Sequence, residues 1–267
     1  MLKLDQSFEF RGDRIAWGTM GSGPALVMVH GTPFSAQVWR RIAPWLAPHY
    51  TVYFFDLLGY SQSAMRDGQD VSLGVQNWVF ASLLKHWQIE KPTVVAHDFG
   101  GATVLRAHYL NACDYERLIL IDPVAIAPWG SPFVQHVRHH EQAFAGLPFY
   151  AHRGLLKSYL AGAVHKPLRP EAEDVYTAPW YTEQGQPAFY RQIAQMEQKF
   201  TDEVEPLYAP PAFPVTLLWG AEDQWIRLST GKRVAERLTR GKLTIVDGAG
   251  HLVQEDAPEA IMAEILR

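Results

Sequence analysis

Asp98, Asp223 and His251 are the residues of this chain best suited to do chemistry together. Each stands just beyond a short aliphatic run, and they come in the order carboxylate, carboxylate, imidazole. Asp98 follows Thr93-Val94-Val95-Ala96-His97, with Ala96 and Gly100 two positions away on either side. Small residues at those two points permit a strand-to-helix turn too tight for larger side chains, with the apex residue offered above the sheet. A free carboxylate there, with an ordinary pKa of about 3.9, is ionised at neutral pH and needs no base to activate it. It suits displacement at a saturated carbon, which leaves an alkyl ester on the protein. His251 is then available to take a proton from the water that attacks the ester. Asp223 would hold the imidazole in one tautomer and stabilise its charged form. The backbone N–H groups of Thr32 and Phe99 would face the oxyanion of that second step, where one such donor is worth about 2.7–4 kcal/mol. The competing reading of Asp98 is a helix N-cap, a role aspartate fills well. Asp122 competes with Asp223 as the acid, although it precedes Pro123 and a turn role is its plainer reading.

Those residues have to be delivered by a chain whose apolar patterning alternates between strand and helix. Residues from about Ser7 to Thr19 read as two short strands around Arg11-Gly12-Asp13. Ala25-Leu26-Val27-Met28-Val29 reads as a strand buried on both faces. Helical spacing follows over Ala36 to Leu46, then the strand Thr51-Val52-Tyr53-Phe54-Phe55 and a helix over Val71 to Trp87. The strand ending at Asp98 leads into a helix to about Leu110, and Leu118-Ile119-Leu120-Ile121 is the next strand. After a long interruption come the strand Val215-Thr216-Leu217-Leu218-Trp219, a helix near Thr230 to Leu238, the strand Leu243-Thr244-Ile245-Val246 and a final helix from Pro258. Strands alternating with helices imply right-handed crossovers and an α/β fold: a mostly parallel eight-stranded sheet with helices on both faces. In the interruption, from about Ile126 to Leu207, no strand-like run appears, and aromatic, His and Pro residues are dense. The expected organisation is a core over residues 1–125, an inserted helical cap over 126–206, and the rest of the core over 207–267. Four motifs then fall at strand carboxyl ends, where open α/β sheets bind ligands. They are His30-Gly31-Thr32-Pro33, the Asp98 turn, Gly220-Ala221-Glu222-Asp223 and Gly248-Ala249-Gly250-His251.

Composition narrows the partners. The formal charge of -4 and the lack of a basic cluster argue against nucleic acid. The single cysteine, Cys113, excludes an internal disulfide and reads as a small apolar residue near a helix end. Met1-Leu2-Lys3-Leu4-Asp5 opens no apolar leader, and no stretch is long enough to span a bilayer, so a cytoplasmic protein without a membrane partner is expected. A homodimer is compatible with the sequence. The histidines His136, His139 and His140 lack a carboxylate or cysteine at matching spacing and read as solvated helix residues, so no metal is expected.

The sequence resembles the α/β-hydrolase superfamily over essentially its whole length, and within it the branch of epoxide hydrolases and haloalkane or haloacetate dehalogenases. The likeness is carried by His30-Gly31-Thr32-Pro33, Asp56-Leu57-Leu58-Gly59-Tyr60-Ser61-Gln62-Ser63, His97-Asp98-Phe99-Gly100-Gly101 and Gly250-His251-Leu252-Val253-Gln254-Glu255-Asp256-Ala257-Pro258. Of these His97-Asp98 is the most diagnostic, because it marks the members with an aspartate nucleophile. Ser61 departs from the pattern, which has Gly there. The resemblance implies a cofactor-free hydrolase acting on a small hydrophobic substrate and water.

Within that branch, receipt of the leaving group separates the reactions. A halide needs only N–H donors, whereas an epoxide oxygen must gain a proton, for which a phenol is suited. Haloalkane dehalogenases carry Trp after the nucleophile and often Asn after the His-Gly; this chain has Phe99 and Thr32, and its Asn77 and Asn111 lie on expected helices. Epoxide hydrolases resemble it more closely, since Gln186-Pro187-Ala188-Phe189-Tyr190-Arg191 matches their cap Tyr-Arg pair. Tyr190 is therefore the first candidate for the ring-opening acid. Tyr150 and Tyr159 are candidates for a second, because the segment that should supply it reads Gln142-Ala143-Phe144. A haloacetate substrate would require a cation, for which Arg153 or His152 would have to serve. The expected activity is epoxide hydrolysis, with a dehalogenase bearing an atypical halide site as the first alternative. A binding protein without turnover is the second.

Overall fold

The computed structural model describes all 267 residues. Its eight strands are β1 (Gln6–Phe10), β2 (Asp13–Gly21), β3 (Ala25–Val29), β4 (Thr51–Phe55), β5 (Thr93–His97), β6 (Arg117–Ile121), β7 (Val215–Gly220) and β8 (Thr244–Val246). They form one sheet in the order β1-β2-β4-β3-β5-β6-β7-β8. The β1–β2 and β2–β4 pairs are antiparallel and every other pair is parallel. The expected α/β-hydrolase architecture of an eight-stranded, mostly parallel sheet is the one observed. The central strands are aliphatic on both faces because helices cover both, and Leu26 to Val29 and Val94 to Ala96 are completely buried.

The core helices are α1 (Ala43–Leu46), α2 (Leu73–Trp87) and α3 (Phe99–Asn111) before the insertion. One continuous helix over Ala36 to Leu46 does not form. A 3-10 turn at Ala36–Trp39 is followed by the separate α1, which carries Pro44 in its first turn. Proline has no N–H to give to a preceding turn and is tolerated only where a helix begins. The α2–α3 pair is tied by Arg106, buried at the helix interface. Its Nε donates to the Leu73 carbonyl at 3.1 Å and to Asn77 at 3.2 Å, and Nη1 reaches the Phe200 carbonyl and Glu203. Asn77 in turn donates to Asn111 at 2.6 Å, so both asparagines serve helix packing.

Between β6 and β7 the chain makes only helices: α4 (Pro132–Ala145), α5 (Phe149–Ala161), α6 (Pro170–Thr177), α7 (Gly185–Ala194) and α8 (Lys199–Asp202). The dominant packing within this insertion is α4 against α7. The core closes with α9 (Leu228–Leu238), α10 (Val253–Asp256) and α11 (Pro258–Leu266). No helix is long and apolar enough to cross a membrane. Cys113 lies just past α3, half-buried, and burial pushes its thiol up to about 11. Ser61, where the resembled pattern has Gly, sits at φ 46°, a backbone region that glycine enters without strain.

Candidate active site

Asp98 occupies the turn between β5 and α3 with φ 51° and ψ -118°, outside the regions open to an L-residue without strain. Strain of this kind costs about 1–3 kcal/mol and persists where the surroundings over-determine it. They do so here. A Cβ on Gly100 would lie 2.4 Å from the Val29 carbonyl oxygen, and one on Gly31 would lie 2.4 Å from the Asp98 Cβ. The two glycines therefore let the turn and the β3 loop close onto each other. Although Asp98 precedes α3, its side chain makes no capping hydrogen bond, so the N-cap reading fails.

The carboxylate instead faces the Thr32 N–H and His251. Oδ1 accepts from the Thr32 N–H at 2.7 Å. Oδ2 lies 3.3 Å from His251 Nε2, without hydrogen-bond geometry. Burial alone would raise the Asp98 pKa. The neighbouring His251, the His97 ring and the Phe99 N–H outweigh burial and hold it below the ordinary value. Thr32 and Phe99, the two expected oxyanion donors, are thus both beside Asp98. The Thr32 loop is steadied by His30, whose Nδ1 donates to the Gly31 carbonyl at 2.8 Å while Nε2 accepts the Leu57 N–H at 2.9 Å. Burial drops the His30 pKa to about 4, so it keeps this one neutral tautomer.

His251 is fully buried after β8. Its Nδ1 donates to Asp223 Oδ2 at 2.8 Å. The other oxygen of Asp223 accepts the Trp225 and Ile226 N–H groups at 2.7 and 2.9 Å, which fixes the carboxylate after β7. Burial works against a charged imidazole, yet the attraction of Asp223 and Asp98 raises the His251 pKa well above its ordinary value. His97, its ring tilted at 50° with its centroid 4.8 Å from that of His251, donates Nε2–H to the His251 carbonyl at 2.9 Å, and burial drops its pKa to about 3.

Asp122, weighed against Asp223 as the acid, is also here. It has φ 41°, accepts the Gly220 N–H on Oδ1 at 2.9 Å and leaves Oδ2 buried without a partner. Burial, then the charge of Asp223, raise its pKa well above the usual carboxylate range, which favours its neutral form. Ligand atoms of Asp122, Asp223 and His251 fall within 4.8 Å of one another. The polar atoms of Asp223 are already committed to His251 and to backbone N–H groups, so the cluster is a hydrogen-bonded one rather than an open cation site.

A cavity of about 230 Å³ lies over Asp98 between the insertion and the sheet. Phe99, Trp129, Tyr159, Trp225, Val134 and Met196 are among its walls, and Asp98 is the only charged side chain on them. The cap tyrosines expected from sequence are corrected at this point. Tyr150 is 80 % exposed on the outside of α5. Tyr190 is buried off the cavity, with its hydroxyl 2.9 Å from His152 Nδ1. Tyr159 is the tyrosine on the cavity wall. It stacks on Trp225 at 4.6 Å, and Trp225 lies 5.0 Å from the His251 ring. Burial, then the Asp98 charge, raise the Tyr159 pKa and keep the phenol protonated. Arg153 and His152 do not reach the cavity. The Arg153 guanidinium lies 4.7 Å over the Tyr181 ring, and His152 Nε2 is 3.1 Å from the Trp180 carbonyl. His136, His139 and His140 are exposed on α4, as solvated residues should be. Gln192, Trp180 and Trp225 escaped the sequence reading because no local pattern separates a contacting Gln or Trp from a packing one.

A profile described as "Alpha/beta hydrolase family" matches residues 26–264. Among solved structures, an alpha/beta hydrolase fold protein from Burkholderia ambifaria is 59% identical and superposes with a TM-score of 0.98, covering 100% of this chain and 98% of that one. An uncharacterized hydrolase of Bacillus subtilis (strain 168), YugF, is 27% identical over 251 residues, which is 90% of this chain and 88% of that protein. A soluble epoxide hydrolase of Corynebacterium sp. (strain C12) is 35% identical over 117 residues, covering 42% of this chain and 39% of that protein.

Proposed function

The chain belongs to the alpha/beta hydrolase family, and on that premise we propose that it hydrolyses small neutral epoxides through a covalent ester on Asp98. The observation that carries the reading is the cavity wall, where one ionised carboxylate and one protonated phenol are set among mostly apolar residues, with Thr32, Ser131 and Ser158 the other hydroxyls. Oδ1 is held by the Thr32 N–H, which leaves Oδ2, 3.3 Å from His251 Nε2, to attack a ring carbon. The C–O bond of the ring breaks, and the leaving oxygen takes its proton from Tyr159. In the second step water attacks the ester carbonyl, His251 takes the water proton, and the oxyanion forms on Oδ1 against the Thr32 and Phe99 N–H groups. Asp223 orients His251 and balances its charge. Collapse of the tetrahedral intermediate breaks the ester C–O bond, and the departing alkoxide takes the proton left on the water-derived oxygen and leaves as the diol. Asp98 is again a carboxylate, and the proton on His251 returns to Tyr159 through solvent. The insertion acts as the cap that closes the cavity and excludes bulk water.

No cation lines the cavity, so a carboxylate-bearing substrate such as a haloacetate has nothing to hold it. A haloalkane dehalogenase is a second reading that one observation favours: the Trp225 indole is on the wall beside His251 and carries an N–H suited to a halide.

A single turnover of styrene oxide in H₂¹⁸O tests the ester. The label should enter the Asp98 carboxylate and be missing from the first diol, whereas label in the first diol sinks the mechanism. Tyr159→Phe tests the leaving-group assignment. It should lower epoxide turnover by about 10²-fold or more, the usual scale for a lost general acid, while Tyr190→Phe leaves the rate within a few-fold. The reverse order would return the role to Tyr190, and release of halide from haloalkanes without epoxide turnover would favour the second reading.

A further inference from the structure

The loop that presents the Thr32 N–H is held from above by the insertion. Gln192 on α7, 1 % exposed, accepts through Oε1 from two hydroxyls of the core, that of Tyr60 at 3.0 Å and that of Thr32. Trp180 donates its indole N–H to the Pro33 carbonyl at 2.9 Å. The same short loop gives the Thr32 N–H to Asp98 Oδ1 at 2.7 Å. Gln192 Nε2, by contrast, is buried without a partner. An unpaired buried amide N–H is unfavourable, so Gln192 is a poor choice for packing alone. What it supplies is an acceptor oxygen with two lone pairs, met by two hydroxyls at once.

We propose that Gln192 is a positioning residue for the hydrolytic step, acting through the Thr32 hydroxyl to aim the Thr32 N–H at the oxyanion. The proposal rests on the ester reading above. In the first step Asp98 Oδ1 loses negative charge as the ester forms, so a donor aimed at it gives no advantage. In the second step charge grows on that oxygen, and the same N–H is worth more in the transition state than in the ester. Loss of aim therefore slows hydrolysis of the ester and leaves its formation intact.

Gln192→Leu and Thr32→Val are the variants, with styrene oxide as the probe. Thr32→Val keeps the backbone N–H and removes only the hydroxyl. In each, kcat should fall about tenfold or more and KM by a similar factor, so that kcat/KM is unchanged, with alkylated enzyme visible by mass spectrometry in the steady state. The double variant should be no slower than the slower single one, because both remove one interaction. Unchanged kcat, a fall in kcat/KM without ester accumulation, or additive losses in the double variant would each overturn the proposal. Failure of the ester reading is separate: it appears in the wild-type protein, as an Asp98 that takes up no label.

Discussion

Replacing His251 with glutamine will stop the protein after the alkylation step and leave the substrate on Asp98. The first step asks for an ionised carboxylate at the elbow and a proton from Tyr159 but no base, and the Thr32 N–H that holds the carboxylate is untouched by the change. The second step loses its base, which contributes about 10²–10⁴-fold. Because hydrolysis is the only exit from the ester, slowing it by that factor converts a transient into the dominant species. The His251 charge is one of the groups that hold the Asp98 pKa down against burial, so its removal lets that pKa rise. Trapping should therefore be done above neutral pH, where Asp98 stays ionised in the variant. Intact-protein mass spectrometry followed by peptide mapping reads the result, and the mass gained separates the two readings. An epoxide adds its whole mass, because the ring opens and no atom leaves, whereas a haloalkane adds its alkyl group and loses halide. An adduct mapped to Ser63 or to no residue at all would falsify the Asp98 assignment.

Asp223→Asn is expected to lower kcat nearly as far. The corresponding change in a serine-protease triad costs about 10⁴-fold, because asparagine favours the wrong imidazole tautomer. Asp122 is close by, but burial and the charge of Asp223 push its pKa well up and favour its neutral form, so Asp223 is the better partner for a charged His251. The pH profile carries the sign. In the free protein two carboxylates raise the His251 pKa, and it holds its proton well past its ordinary value. Alkylation of Asp98 removes one of those charges, so the His251 pKa falls as the ester forms and the base becomes available when it is needed. The acid limb of kcat should thus lie at lower pH than the free-enzyme His251 titration, with kcat rising as pH rises through it. The acid limb of kcat/KM instead follows Asp98, whose pKa is depressed, so it holds at neutral pH and falls only in acid. In Asp223→Asn the remaining activity should show its kcat acid limb moved further toward acid, because the second charge is gone as well. A limb moved toward alkali, or a variant with near-normal kcat, would mean that Asp122 takes over the role.

How much of this was legible depended on whether a residue is positioned by its own neighbours in sequence. Asp98, His251 and Asp223 stand at strand ends, and an aliphatic run followed by glycine announces a strand end locally. The sheet fixes the ends relative to one another, so reading each strand was enough to bring the residues together. The insertion has no such ruler. Tyr190 matched a known pair by its neighbours, yet its direction is set by how α7 meets α5, where His152 takes its hydroxyl. Tyr159 reaches the cavity because its ring stacks on Trp225, 66 positions later by residue number. Asp122 could be read as a turn residue or as a rival to Asp223; it sits at φ 41°, and its neighbour Asp223 comes from the adjacent strand end, which Pro123 does not reveal. Gln192 carries no motif at all; its importance lies in two hydroxyls contributed by the core.

The half-buried thiol past α3 bears on how the protein withstands its own chemistry. Strained ethers and alkyl halides are electrophiles that mark soft sulfur anions first, and Cys113 with a pKa of about 11 offers almost none of that anion at neutral pH. In the proposed mechanism the group that meets the electrophile is a hard oxygen anion, and its alkylated form is the one adduct that mechanism hydrolyses. Prolonged exposure to excess substrate should accordingly leave the sulfur unmodified and the active carboxylate renewed at every cycle.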